Sequence, residues 1–235
     1  MKLLVFDTET TGLPPHKGID PEYLEQWPYI VQISYVIYDF ETNAIELKDH
    51  IIKIPYNIDI PQESTNIHGI TKKMTNMNGV NIYKVFTELF YHIKRADKII
   101  GHNIDFDINM INVELLRRIY NTKHIVSNKE LEEIVLLKQY LYELQKNENK
   151  ICTMKTNVEL CNIIAINKYG KTYVKYPTLT QLHNKLFMGN INMLHDSSVD
   201  SLVTLRCYVK IAYNIDLLKH CKSFKVRTRK IYNEL

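Results

Sequence analysis

Three short apolar runs near the start of the chain constrain its fold most. Leu3 to Phe6 is four apolar residues long, β-branched and aromatic-leaning, and reads as a buried strand with a turn signal at Thr10-Thr11-Gly12. Tyr29 to Phe40 alternates in part and reads as a second strand, and Ala44 to Ile54 reads as a third after a short turn at Glu41-Thr42-Asn43. Together they predict an antiparallel meander. The segment at about 13–28 reads as an irregular, proline-bearing insertion, and Pro55 to Gly79 as loop. The spacing changes after that. Val80 to Arg95 has helical spacing, Lys98-Ile99-Ile100 is a short buried strand stopped by Gly101, and Asp105–Tyr120 and Lys129–Asn147 read as helices. Ile151–Met154 supplies a fifth strand, Asn167–Pro177 reads as a basic loop with Gly170 at its turn, and Thr178–Phe187 and Ser197–Tyr213 are helices. A meander followed by alternating helix and strand predicts one α/β domain over residues 1–235 with a mixed sheet of five strands flanked by helices.

The chain has 235 residues, enough to bury a core without staples, with the hydrophobic and charged content of an ordinary globule. Its four cysteines form no C-x-x-C pair and read as free thiols. No apolar stretch approaches membrane-span length, and Met1-Lys2-Leu3 leads straight into the first strand without a signal-peptide pattern. The expectation is a cytoplasmic protein with no membrane partner, leaving the nucleus open. A net charge of +4 suits a polyanion partner without requiring one. The basic tail at about 219–235 carries Lys219, Lys222, Lys225, Arg227, Arg229 and Lys230, with no acid from Lys219 to Lys230, and reads either as a solvated, frayed end or as a phosphate-contacting one.

The first strand ends in Asp7 and Glu9, and side chains two apart on a strand share a face. Two carboxylates side by side next to a core repel each other and are costly to desolvate, and a hard divalent cation reverses both penalties. Such a pair alone is also compatible with a solvated strand end, so partners must come from elsewhere. "IIGHNIDFDINMI" (99–111) offers Asp105 and Asp107 where a strand runs into a helix; Asp105 reads as a helix N-cap, with Asp107 in the first turn. "LHDSSVDSLVTL" (194–205) offers His195 and Asp200, although Ser197-x-x-Asp200 also has the form of a capping box.

Taken in order, Asp-x-Glu on the first strand, His-Asn-x-x-Phe-Asp after a later strand, and His-x4-Asp on the last long helix resemble the DnaQ-like exonucleases of the DEDDh type, within the ribonuclease H-like fold. Asp7 and Glu9 match the first motif, Asp107 the second because it follows Phe106, and His195 and Asp200 the third. "ESTNIHGIT" (63–71) is similar to the family's loop before its first helix, with Glu63 and His68 at the family's spacing. "WPYIVQISYVIYDF" (27–40) and "NKYGKTYVKYPTLTQLHNKLF" (167–187) resemble its second strand and the approach to its penultimate helix. The insertion and the basic tail depart from the pattern.

The resemblance implies a phosphodiesterase that releases nucleoside monophosphates from a 3′ end with two divalent ions, Mg²⁺ or Mn²⁺. It implies Asp7, Glu9, Asp107 and Asp200 as ligands and His195 as the group that accepts a proton from the attacking water. Thr10, Glu63, His68 and Phe106 are the implied contacts to the terminal nucleotide, although Phe106 also fits a core position. Lys168, Lys171 and Lys175, interleaved with Tyr169, Tyr173 and Tyr176, read either as a track for a single strand or as a solvated turn. The implied partner is a nucleic acid with a free 3′ end, single-stranded, together with a separate polymerase if the role is proofreading. DNA is the favoured substrate. An RNA 3′-end-processing exoribonuclease is the alternative, and a binding module without turnover is a more distant one.

Overall fold

The computed structural model describes residues 1–121, 127–187, 191 and 195–232. In chain order the elements are β1 (Lys2–Thr10), β2 (Ile30–Asp39), β3 (Ala44–Ile51), α1 (Gln62–His68), α2 (Lys72–Asn78), α3 (Ile82–Ile93), β4 (Lys98–Gly101), α4 (Ile104–Asn121), α5 (Asn128–Lys146) and β5 (Lys150–Cys152). They continue with α6 (Thr153–Thr156), α7 (Val158–Cys161), β6 (Ile163–Ile166), β7 (Thr172–Lys175), α8 (Leu179–Phe187), α9 (Ser197–Tyr213), α10 (Leu217–His220), α11 (Lys222–Arg227) and α12 (Arg229–Tyr232).

The main sheet has five strands in the order β3-β2-β1-β4-β5. The meander pairs antiparallel, with Asp7 opposite Ser34 and Glu9 opposite Gln32, while β4 and β5 join in parallel on the other side of β1. Strand alternation sorts β1 onto two cores. Leu4 and Phe6 face a cluster that includes Phe86 and Phe90 of α3, Ile108 and Ile111 of α4, and Leu137 and Tyr140 of α5. Leu3 and Val5 face a second cluster with Leu182 of α8 and Val199, Leu202 and Val203 of α9. The sheet is thus covered on both faces, and that is why its central strand reads as a continuous apolar run.

Several expectations change. The segment Pro55–Gly79 is not loop but holds α1 and α2. Each is seven residues long, too short to show a helical period, and they are set by Gly69 at φ 75° and by the Thr71 hydroxyl accepting from the Met74 N–H. β3 ends at Ile51, where Ile52 makes a parallel bridge to Val80, so α3 starts only at Ile82. Asn167–Pro177 contains one strand of a separate β6–β7 hairpin, whose turn has Gly170 at φ 76°. The insertion carries a short 3₁₀ turn at Leu24–Gln26 and buries Ile19 and Trp27 in the first core. Arg117 fastens it by donating to the Leu24, Trp27 and Pro28 carbonyls while pairing with Glu114 at 2.9 Å.

The basic tail is not frayed through Tyr232. Leu217, Cys221, Phe224 and Ile231 point into the second core, and the lysines and arginines occupy the outer side of the short helices. Arg206 of α9 holds the tail from inside through two bonds to Asp216, the α10 cap, and through stacking on Tyr232. All four cysteines are free thiols. Among the described residues, no helix is long and apolar enough to cross a membrane.

Candidate active site

β4 stops at Gly101, whereas β1 runs on to Thr10, so the last residues of β1 lack a neighbour on that side. Asp107 fills the gap. Its Oδ1 accepts from the Thr8 N–H at 3.0 Å and from the Thr8 hydroxyl at 2.7 Å, taking the place of the next carbonyl of the ladder. The chain turns abruptly to bring Asp107 there. Asn103 adopts φ 74°, and a Cβ on Gly101 would meet the Ile104 Cβ at 2.9 Å. Only glycine lets α4 start this close to the strand end.

Asp105 lies inside α4 rather than capping it. It is exposed and paired with Lys155. The helix begins one residue before it, so its carboxylate cannot serve the first-turn amides as an N-cap does.

Asp7 and Glu9 project to the other face of the sheet, toward α9. One carboxylate oxygen each from Asp7, Glu9 and Asp200 lie within 4.8 Å of one another. The cap of α9 is Asp196, not Ser197. Its carboxylate accepts from the Ser198 N–H at 2.9 Å and from the Ser198 hydroxyl at 2.6 Å, while Ser197 is buried and turned toward the sheet. Asp200 therefore stands one turn into the helix with a free inward face. Its Oδ1 is buried without a hydrogen-bond partner.

His195 is exposed, adopts φ 72°, and bonds the Asp200 carboxylate through its main-chain N–H. It is close enough for its charge to act on His68.

The electrostatics of this group are those of a bare ligand cage. Burial, then Asp107 and Asp200, raise Asp7 well above the usual carboxylate range. Burial and then Asp200 and Asp107 push Glu9 to about 8. Burial takes Asp107 to about 7 against the lowering effect of the Thr8 bonds, and takes Asp200 to about 7 against that of the His195 N–H. Four acids are thus held where their charge is penalised, and Asp196 adds to the field at Asp7, Glu9 and Asp200. An all-oxygen donor set with an unpartnered, buried acceptor fits a hard divalent cation. A second acidic group, Glu46, Glu88 and His92, differs: Lys48 already lies between Glu46 and Glu88 at 3.1 and 2.8 Å.

The remaining sequence-derived positions surround this centre. The His68 Nδ1 accepts from the Ile70 N–H at 3.0 Å, so its Nε2–H donates to the Thr10 carbonyl at 3.2 Å. The Ser64 hydroxyl donates to the Thr11 carbonyl, and the two side chains fix α1 against the end of β1. Glu63 is exposed in the first turn of α1. The Thr10 hydroxyl donates to the Gly12 carbonyl and closes the turn. Phe106 is half-buried and packs against the first core.

The sequence pattern missed the seam beneath the site. The Ser34 hydroxyl lies 2.6 Å from that of Ser197 and donates to Asp49, and Gln32 joins Asp49 to the Ser197 N–H. The only hint was two polar residues, Gln32 and Ser34, in an otherwise apolar strand.

Comparison with known proteins agrees with this architecture. The epsilon subunit of DNA polymerase III from Rickettsia conorii is 27% identical over 115 residues, which is 49% of this chain and 44% of that protein. Exonuclease I from Methylocaldum szegediense superposes with a TM-score of 0.56 at 17% identity, over 93% of this chain and 42% of that one. Escherichia coli Exonuclease I in complex with a dA16 oligonucleotide superposes with a TM-score of 0.58 at 16% identity, over 91% and 41%. The chain thus spans less than half the length of these relatives. A family model described as "Exonuclease" (RNase T type) matches residues 4–208, from β1 to α9. With the ribonuclease H-like sheet and these relatives, that match places the chain in the DnaQ-like exonuclease family.

Proposed function

We propose that residues 1–235 act as one domain, a 3′–5′ exonuclease that removes nucleoside monophosphates from the 3′ end of single-stranded DNA. The observation that carries this reading is the convergence of Asp7, Glu9, Asp107 and Asp200, from three separate segments, at the carboxyl end of β1. Acids so placed penalise one another's charge in the bare fold, and the Thr8 bonds to Asp107 offset this only in part. Single-stranded DNA is favoured because the E. coli Exonuclease I relative is seen with an oligonucleotide.

Asp7, Glu9, Asp107 and Asp200 would hold the divalent ions, Mg²⁺ or Mn²⁺. When bound, such ions offset the negative charge that builds on the phosphate and its leaving oxygen. The chain's own residues do the rest. Thr8 fixes the Asp107 carboxylate with two hydrogen bonds, so that it meets its ligand without reorganising. The His195 main chain is tied to Asp200, and its exposed imidazole would take a proton at a ring nitrogen. The terminal nucleotide enters between α1, carrying Glu63 and His68, and the first turn of α4, carrying Phe106, with Thr10 at the floor.

The test uses strands labelled at the 5′ end, with Mg²⁺ or Mn²⁺ and with chelator. Stepwise shortening from the 3′ end that stops in chelator and in Asp7→Asn is expected. Undiminished shortening in excess chelator refutes the metal-dependent reading, and internal cuts refute the exonuclease reading.

A further inference from the structure

The β6–β7 hairpin contributes to neither core. A two-stranded ribbon is marginal by itself. This one nonetheless exposes Tyr169, Tyr173 and Tyr176 together with Ile164, Ile166 and Val174. From Leu160 to His195 the sequence has no acid, while the hairpin carries Lys168, Lys171 and Lys175. Among the described residues, none of these three lysines has an ion-pair partner, and Lys168 lies 5.1 Å over the Tyr169 ring. By strand alternation Tyr173 and Lys175 share one face of β7, and Lys171 immediately precedes the strand. Cation, aromatic and cation in succession is the surface that a sugar–phosphate strand with stacked bases complements.

The chain leaving the hairpin is tied to the end of β4, from which α4 and Asp107 follow. The His102 Nε2–H donates to the Pro177 carbonyl at 3.1 Å, and the Nδ1 lies 3.0 Å from the Thr153 hydroxyl, which reaches the Gly101 carbonyl. Burial lowers His102 to about 4, so it is neutral and this tie persists at ordinary pH. Gly101 ends β4, and α4, carrying Asp107, follows at once. The ribbon is therefore rooted beside the carboxyl end of β4, next to the strand that carries Asp7.

We infer that the β6–β7 hairpin is a docking arm for single-stranded DNA, which it grips through Lys168, Lys171, Tyr173 and Lys175 at nucleotides 5′ of the reacting end. This inference rests on the exonuclease reading for its direction, but its binding surface stands apart from the acids. The arm holds several nucleotides at once, so it favours long strands over short ones and leaves the hydrolytic step untouched.

Two variants of the full chain test it: the triple Lys168→Ala/Lys171→Ala/Lys175→Ala variant, and Tyr173→Ala, whose side chain is exposed. Binding of fluorescent oligothymidylate of about twenty nucleotides, longer than the ~4–16 nucleotides that single-strand grooves cover, is followed by anisotropy in chelator at several salt concentrations. Turnover of the p-nitrophenyl ester of thymidine 5′-monophosphate, which cannot reach the arm, is measured with Mn²⁺. Loss of three phosphate contacts should flatten the plot of log affinity against log salt by about 2. Tyr173→Ala should bind roughly tenfold more weakly. Both variants should turn over the ester at the wild-type rate. Unchanged affinity and salt slope in both would overturn the inference. So would equal losses on ester and oligonucleotide, or a change of oligomeric state with strand binding intact. If wild type neither turns over the ester nor shortens labelled strands with Mn²⁺, the exonuclease reading fails, while anisotropy still decides the role of the hairpin.

Discussion

Replacing Asp200 by Asn should stabilise the metal-free protein while removing its response to metal. The carboxylates of Asp7, Glu9 and Asp200 lie within 4.8 Å of one another. At an effective dielectric constant of 20, two full charges at that distance repel by about 3.5 kcal/mol. Near pH 8 Asp200, raised to about 7, is largely ionised, and Glu9, raised to about 8, is half ionised. Relief of part of that repulsion should then contribute about 1–3 kcal/mol, or roughly 3–10 °C in Tm for a chain of this size. The amide keeps the shape and can still accept from the His195 N–H. The pH dependence has a definite sign. These acids have raised pKa values in the folded state, so the fold binds more protons than the unfolded chain between about pH 4 and 8 and loses stability as pH rises through that window. Asp200→Asn should flatten the decline, and the two proteins should melt together only near pH 4, where the unfolded carboxyl is protonated as well. Mg²⁺ or Mn²⁺ at a hundredfold its Kd should return about 2.7 kcal/mol to wild type and far less to the variant. Thermal unfolding at both pH values, in chelator and in metal, reads all of this. A variant less stable than wild type in chelator at pH 8, or a wild type whose Tm ignores both ions, would refute the reasoning.

Asp107→Ala should abolish strand shortening, whereas Asp105→Ala should leave it intact and cost no more than about 1 kcal/mol in a denaturant melt, since its partner Lys155 forms an exposed pair. Gly101→Ala should destabilise by about 1–3 kcal/mol, because the new methyl overlaps Ile104, and a normal denaturation midpoint would show that α4 can retreat. His195→Ala should stay folded, keep the Tm gain from metal and lose about 10²–10⁴-fold in single-turnover rate. Near wild-type turnover in that variant would remove His195 from the chemistry.

How much could be read in advance depended on length and on neighbours. The strand Leu3–Phe6 and the helix Ser197–Tyr213 were legible because the strand is buried throughout and the helix nearly so as far as Val209, and neither apolar pattern has a competitor. The acids were legible as an ordered set of motifs, and the fold brings Asp7, Glu9, Asp107 and Asp200 to one strand end. α1 and α2 were not, since seven residues hold about two turns and their short apolar pattern drowned among polar residues. The hairpin escaped because neither strand has a buried residue, and β6 alternates only between half-buried and exposed beneath a uniformly apolar Ile-Ile-Ala-Ile, so the sequence carries no period. Two caps were misassigned for one reason. Asp105 and Ser197 each have the right chemistry, but the helix start shifted by one residue or more decides which side chain meets the free amides.

That shift at Ser197 has consequences for the site. With Asp196 as the cap, Ser197 is released to face β2, where its hydroxyl meets Ser34 directly opposite Asp7 and its N–H meets Gln32 opposite Glu9. Asp49 from β3 accepts from both Ser34 and Gln32, and Ser201, one turn further along α9, donates to the Ser34 carbonyl. An apolar helix–sheet contact tolerates sliding, whereas each of these bonds fixes a distance and a direction. A displacement of α9 would leave several buried polar groups unpaired at about 1–3 kcal/mol each. Asp200 is therefore held over Asp7 and Glu9 despite the repulsion among the three, which would otherwise push the helix away. The strand carrying the two acids is positioned by its neighbour, and the neighbour is locked to the helix carrying the third.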